Sequence, residues 1–574
     1  MRGGSLRDWE PKARAIEENE AKRAARWLAE RLGLLPSRWA AHVGAEHNRR
    51  GGLASSEANQ WALGVTEAGR GRVQLSASDE DLRAAAETAA GDCQALAQFA
   101  ALRGPEVSAG MMARQCGLWG IEPPGIADCA GAGLMPAIRR MCCKRWWLRR
   151  LRRAHGRRCD GAAIRAGVVR RGMWPYASQD AVERRGEQKR RNARALENAV
   201  IECRDSGESL PLADVVAGSI ANPEVKRSEL MVRIKGCDAI AAGDGLACEF
   251  WTLTAPSRFH AYKSTGGKKS GSAVPNSNYD GSTPKEAQGY ISSVWARARA
   301  AWKRRGLNVY GLRTAEPHHD GCPHWHLICY GTPRDVRFAR RLLRVYALRD
   351  SPNEPGARKH RFVVLKAKQG RYGAAYAAKY ISKNINGEGM GKAGDGEAGK
   401  PVSDSVRRVD AWAATWGIRQ FQFFGCPSVS IWRVLRKMRG PVGVAGSMIE
   451  RARSAADDSD FAEFWRCSLR GGLALIYRAA DRLTVYGDAA AARVVGVMEG
   501  ARRALLPVKD WVIHWRGKEA QGAGVDPLAG LAELWGIGQG PGPGGVAFDL
   551  PWSCVNNCTG EDSEEFARIF AGGL

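Results

Sequence analysis

Apolar and polar positions follow each other with more than one period along this chain. From residue 13 to 32 Ala, Arg, Leu and Glu dominate with the spacing of an amphipathic helix, and the text reads mainly as helices up to residue 245. Within it, residues 138–158 (IRRMCCKRWWLRRLRRAHGRR) set Trp146, Trp147, Leu148 and Leu151 on the apolar side of a helix otherwise covered in Arg. Such a face can lie along phosphates or simply meet solvent. Near Ala247 the period changes. CEFWTLTAP alternates as a strand and ends in Pro, and strand-like and helix-like runs then alternate to about residue 439, the pattern of an α/β or α+β domain. Residues 263–284, rich in Gly and Ser, and residues 386–405 interrupt it and predict loops. Ala-rich helical text returns after residue 439, and GIGQGPGPGGVAFDLPW predicts a flexible tail. The expected division is therefore 1–245, 246–440 and 441–574, with the sheet in the middle segment.

Charge adds a class of partner. The 574 residues hold 87 Lys and Arg against 60 Asp and Glu, a net charge of +27, which suits a polyanion and above all nucleic acid. The bland reading is a basic surface inherited from Arg-heavy composition. The fifteen cysteines are scattered, the opening residues lack the apolar core of a signal peptide, and no run approaches the roughly 18 apolar residues of a membrane span. These features predict a cytoplasmic protein with free thiols and no membrane partner. Cys116, Cys129, Cys142, Cys143 and Cys159 crowd one region without the C-x2-C spacing of a zinc site, and Cys554 and Cys558 are weaker still. Gly394 to Lys400 (GDGEAGK) imitates a phosphate-binding loop. Pro401 stands where a Ser or Thr must hold Mg²⁺, and no strand precedes it, so nucleotide hydrolysis is excluded.

Two segments carry chemistry. TAEPHHDGCPHWHLICYG, residues 314–331, reads as a β-hairpin with Asp-Gly at its tip. Alternate residues of a strand share a face, so His324 and His326 point the same way. A turn centred on Gly321 puts His324 opposite His318 and His326 opposite Glu316, with His319 facing away. Two imidazoles with a carboxylate or a third imidazole form a divalent-metal site with open positions, whereas a lone histidine would be an ordinary hydrogen-bonded residue. RYGAAYAAKYISKNI, residues 371–385, reads as a helix. Tyr376 and Tyr380 are one turn apart on one face, Tyr372 continues the stripe as packing, and Lys379 and Lys383 run beside it. A packed aromatic stripe is the ordinary explanation. The lysines change it, because an ammonium group lowers the pKa of a phenol and holds a phosphate. In FWTLTAPSRFH, Ser257, Arg258 and His260 follow Pro256 in a position to bind phosphate. In residues 412–438 a strand, a Gly-Cys-Pro-Ser turn and a basic helix capped near Ser428 or Ser430 follow, with aromatics that suit core packing better than base stacking.

Taken together, FWTLTAPSRFH, EPHHDGCPHWH, YAAKYISKNI and WGIRQFQFFG, in that order, resemble the phage replication gene A protein family, within the HUH superfamily of rolling-circle endonucleases. The resemblance runs from about residue 250 to 439 and is diffuse through ELMVRIKGCDAIA upstream. It implies an α+β fold, a central antiparallel sheet with metal on one strand pair and tyrosines on a helix against it. It implies that His324 and His326 bind Mg²⁺ or Mn²⁺, with Glu316 favoured over His318 as third ligand, and that Tyr376 and Tyr380 are paired nucleophiles. The implied activity nicks single-stranded origin DNA in a bacterial host cell, leaves a 5′-phosphotyrosyl intermediate, and works with a host polymerase and helicase. Gly425-Cys426-Pro427-Ser428 departs from the family's turn. A transposase or relaxase of the same chemistry, and a non-catalytic nucleic-acid-binding protein with structural zinc, are the alternatives.

Overall fold

The helical text at the start of the chain folds as helix. A computed structural model describes residues 6–515 apart from 68–70, 127–128, 266–271, 367–372, 386–401, 439, 443–445, 481–482 and 508–510. It divides into two compact units, with the boundary between Trp174 and Pro175. Among its described residues the first unit is built from helices alone. Helix Asp79–Phe99 starts in a capping box, Ser78 accepting the N–H of Asp81 while the Asp81 carboxylate accepts that of Ser78. It packs on helix Lys144–Arg165. The Arg-rich stretch is two helices, Met135–Met141 and Lys144–Arg165, because Cys143 is extended and starts the second. Trp147, Leu151, Cys159 and Ile164 of that helix are buried. Its arginines are partly turned inward: Arg152 binds both oxygens of Asp79 at 2.7 Å, and Arg158 donates to the Val73 carbonyl.

The second unit holds a five-stranded sheet in which every neighbouring pair is antiparallel. Its elements, in chain order, are α1 (Pro223–Gly243), β1 (Ala247–Thr254), α2 (Pro284–Arg304), β2 (Val309–Pro317), β3 (Pro323–Gly331), α3 (Pro333–Ala347), β4 (Phe362–Lys366), α4 (Gly373–Ile385), α5 (Val402–Trp416) and β5 (Phe421–Phe424). The strand order is β4-β1-β3-β2-β5, so the β2–β3 hairpin lies at the centre. Alternation assigns the faces. Trp251 and Trp325 point to one side, where they meet Trp302 and Trp295 of α2. Leu312, Ile328 and Tyr330 point to the other, into a core shared with Ile234 of α1, Ala377 and Ile381 of α4, and Phe461, Phe464 and Trp465 of helix Phe461–Arg470. Helices therefore cover both faces, and the fold is α+β. The core crosses both boundaries expected from composition, at 245/246 and 440/441. After residue 440 two helices, Met448–Asp457 and Phe461–Arg470, lead into an antiparallel sheet of Ala474–Arg478, Arg493–Glu499 and Arg502–Leu505.

The described cysteines are all free thiols. Among the described residues no helix is long and apolar enough to cross a membrane.

Candidate active site

The central hairpin is closed by its turn. His318 N–H donates to the Cys322 carbonyl at 2.7 Å and Gly321 N–H to the His318 carbonyl at 2.8 Å. Asp320 accepts the N–H of Cys322 at 3.1 Å, and Gly321 takes the left-handed conformation (φ 84°) that a residue without Cβ adopts freely. The last ladder pair is Pro317 with Pro323, which places Glu316 opposite His324 and Thr314 opposite His326. The register expected from a turn centred on Gly321 is thus displaced by two residues. An even displacement leaves every side chain on its face. It moves Glu316 beside His324 and takes His318 out of the ladder into the turn, where its ring lies 4.0 Å from that of His324.

Glu316, His324 and His326 each offer one ligand atom, and these atoms lie within 4.8 Å of one another. Among the described residues this is the one group of three or more His, Cys, Asp or Glu so disposed. The Nε2 atoms of His324 and His326 are 2.9 Å apart, and Glu316 Oε2 is 4.0 Å from His326 Nε2. Thr252 Oγ1, on β1, lies 3.1 Å from His326 Nδ1, a bond that turns the opposite ring nitrogen toward His324. His319 is in the turn, and its carbonyl accepts the N–H of Tyr176.

The tyrosine helix is set against the same face. α4 begins with Gly373 and Ala374 donating their N–H groups to the two oxygens of Asp238, on α1, at 2.8 and 2.7 Å. Tyr330 Oη also donates to Asp238, at 2.6 Å. Burial raises the Asp238 carboxyl above its ordinary range, and these donors oppose it. Ala377 and Ile381 bury the inner side of the helix. On the adjoining side Tyr376 packs on Phe250 with ring centroids 4.0 Å apart, and Tyr380 Oη donates to Tyr376 Oη at 2.8 Å. The Tyr380 ring is 4.4 Å from that of His326. Burial pushes the Tyr376 phenol upward, the bond from Tyr380 lowers it, and the Glu316 charge raises it again. Lys379 and Lys383 stand on α4, but their side chains, like the whole of Tyr372 and residues 394–401, lie outside the described residues.

Arg258 and His260 follow β1, one on each side of Phe259. The Arg258 guanidinium bridges Asp280 at 2.7 Å and Asp350 at 3.1 Å. His260 Nδ1 pairs with buried Asp320 at 3.1 Å. Burial alone would lower the imidazole pKa, but Cys322 and Asp320 lift it above its ordinary value. Burial would likewise raise the Asp320 carboxyl, yet His260 holds it well below. After α5, Ser428 caps helix Val429–Leu435, and Trp412 and Trp416 of α5 and Trp432 of that helix are fully buried packing groups. Sequence reasoning missed Thr252, Asp238, Asn384 and Gln420. Asn384 alone had a local signal, its spacing of four from Tyr380.

The bacteriophage replication gene A protein (GPA) family matches residues 121–388. The chain is 39% identical over 341 residues to the replication gene A protein of Escherichia phage P2, covering 58% of this chain and 44% of that one. It is 34% identical over 449 residues to the replication gene A protein of Escherichia phage 186, covering 75% and 60%. Residues 121–388 are thus similar to the bacteriophage replication gene A proteins. It is also 36% identical over 311 residues to a probable replication endonuclease from a prophage-like region of Salmonella typhimurium, covering 53% and 37%. The chain spans about half the length of the curated gene A relatives it matches. No solved structure matches it. Glu316, His324, His326, Tyr376 and Tyr380 all fall in the gene A segment, and Gln420 lies beyond it.

Proposed function

We propose that this chain initiates phage or prophage DNA replication by the rolling-circle route, as a metal-dependent endonuclease that nicks single-stranded origin DNA and keeps the 5′ end on a tyrosine. One juxtaposition carries the reading: Tyr380, hydrogen-bonded to Tyr376, stacks beside His326 of the Glu316–His324–His326 group. The relatives' names, replication gene A protein and probable replication endonuclease, support it. Two imidazoles and a carboxylate fit Mg²⁺ or Mn²⁺ and leave positions open for phosphate oxygen. The bound ion would supply a Lewis acid for the scissile phosphate and offset the Glu316 charge.

Everything else falls to the chain's own residues. Glu316 is the third ligand, and His318 packs against the site. Burial and the Glu316 charge hold the Tyr376 phenol above its ordinary pKa, so Lys379 and Lys383 are assigned to stabilise the phenolate and hold the phosphate. A tyrosine oxygen bonds to phosphorus as the 3′ oxygen departs, so the linkage is exchanged rather than hydrolysed and the reverse reaction joins ends. Two nucleophiles one turn apart permit a second transfer while the first still holds DNA. Arg258 and His260 border the DNA path. The 3′ hydroxyl released would prime a host polymerase, with a host helicase opening the duplex.

The test is incubation with labelled single-stranded origin-like DNA and Mn²⁺. A protein-linked 5′ product is expected, mapping to Tyr376 or Tyr380. The double Tyr376→Phe, Tyr380→Phe protein and His324→Ala should lose it at least about a hundredfold while still binding DNA. An adduct on another residue, or undiminished cleavage by the double variant, overturns the assignment. Tightly held zinc with no adduct would favour the binding protein instead.

A further inference from the structure

Asn384 is the third member of the stripe that the two tyrosines begin, at spacing four on α4 and hence on their face of the helix. Its side chain is 4% exposed. Its Nδ2 donates to Glu316 Oε1 at 2.5 Å and to the Tyr380 carbonyl at 2.6 Å, and its Oδ1 accepts from Gln420 Nε2 at 3.2 Å. The orientation of this amide is forced. A carboxylate and a carbonyl can only accept, so the NH₂ group must face both, and the oxygen is left for Gln420. Gln420 is itself tied to the sheet, its carbonyl accepting the N–H of Ala315, next to Glu316, at 2.8 Å.

The consequence falls on Glu316. A buried carboxylate needs donors, and Asn384 supplies one to Oε1 while Oε2 stays on the side of His326, 4.0 Å from its Nε2. The same amide holds the backbone of a proposed nucleophile. We infer that Asn384 is a positioning residue, which presents Oε2 of Glu316 to the cation and ties the tyrosine helix to the metal-bearing strand, with Gln420 anchoring its amide oxygen. The inference rests on Glu316 being a metal ligand.

Mn²⁺ binding in the absence of DNA tests it without turnover, read by calorimetry and by the electron paramagnetic resonance of free Mn²⁺. Asn384→Leu keeps the side chain's size and removes both donors. Gln420→Met removes only the donor that anchors the amide oxygen. The parent should bind Mn²⁺, Asn384→Leu should bind it about tenfold more weakly or worse, and Gln420→Met should shift in the same direction by less. Thermal melting and DNA binding in chelator identify any loss that comes from unfolding. A role in packing alone would lower the melting temperature and leave the Mn²⁺ Kd at the parental value, which overturns the inference. If Asn384→Leu does not fold, parental affinity in Gln420→Met overturns it instead. A parent that takes up no Mn²⁺ sinks the metal reading itself, and that failure differs visibly from equal binding by all three proteins.

Discussion

Arg258 shows how a single side chain can be committed before any ligand arrives. Burial works to raise the carboxyls of Asp280 and Asp350, but hydrogen bonds from Ser282 and Ser351 and the guanidinium between them hold both below the ordinary range. Carboxylates depressed in the folded state add stability that is present above their unfolded pKa, about 3.9, and is lost as pH falls through the folded values. Arg258→Met should therefore melt at lower temperature than the parent near neutral pH, and the gap should close below about pH 4. The Arg258 and Asp280 side chains are 38% and 36% exposed, so solvent screening limits the effect to about 1 kcal/mol or less. Melting curves across pH check this, and a gap that widens on acidification would contradict it. The same commitment bears on DNA: a phosphate reaching Arg258 has to compete with two carboxylates already in place.

At the scale of elements, the placing of α4 is decided at its first residue. A Cβ on Gly373 would lie 2.2 Å from Tyr330 Oη and 2.6 Å from Ile328 Cγ2, both on β3. Gly373→Ala gains up to about 1 kcal/mol of helix propensity but meets a clash whose usual cost is about 1–3 kcal/mol, so repulsion wins. The variant should be destabilised by about 1 kcal/mol or more and should form adduct more slowly, because the tyrosines are lifted from His326. Gly289, in α2, has nothing within 4 Å of its Cβ position, so Gly289→Ala should be neutral or stabilising. Equal behaviour of the two variants would remove the steric argument. The contrast also marks what was legible beforehand. Strand parity brought His324 and His326 to one face and helical spacing brought Tyr376 and Tyr380 to one face, because both signals are local. The register was not legible, since Asp320 and the His318–Cys322 bond set where the turn closes. Nor were Asp238 and Gln420, which reach α4 from 135 residues before Gly373 and 36 residues after Asn384.

For the whole molecule, the excess of 27 positive charges has a measurable signature. Helix Gln179–Glu197 anchors through Arg185 and Lys189 on Asp410 of α5 and leaves Arg190 and Arg194 exposed. If such groups neutralise phosphates of a single strand, log affinity should fall with log salt by about 0.7 per phosphate contacted. Binding titrations from low to physiological salt should give a slope of about −2 or steeper, and a flat line would take the basic surface out of the DNA contact. The cap that Asp238 places on α4 has a last, practical meaning for anyone dissecting the chain. Scissors set at residue 246, where the strand pattern opens, would discard the carboxylate that receives the first two N–H groups of the tyrosine helix. Scissors set at 440 would discard Trp465, whose ring meets that of Tyr310, on the β2–β3 hairpin, at 4.8 Å. The smallest excisable unit that keeps the candidate site has to begin before Pro223 and run beyond Trp465, so its limits belong to helices that carry none of the site's tyrosines or histidines.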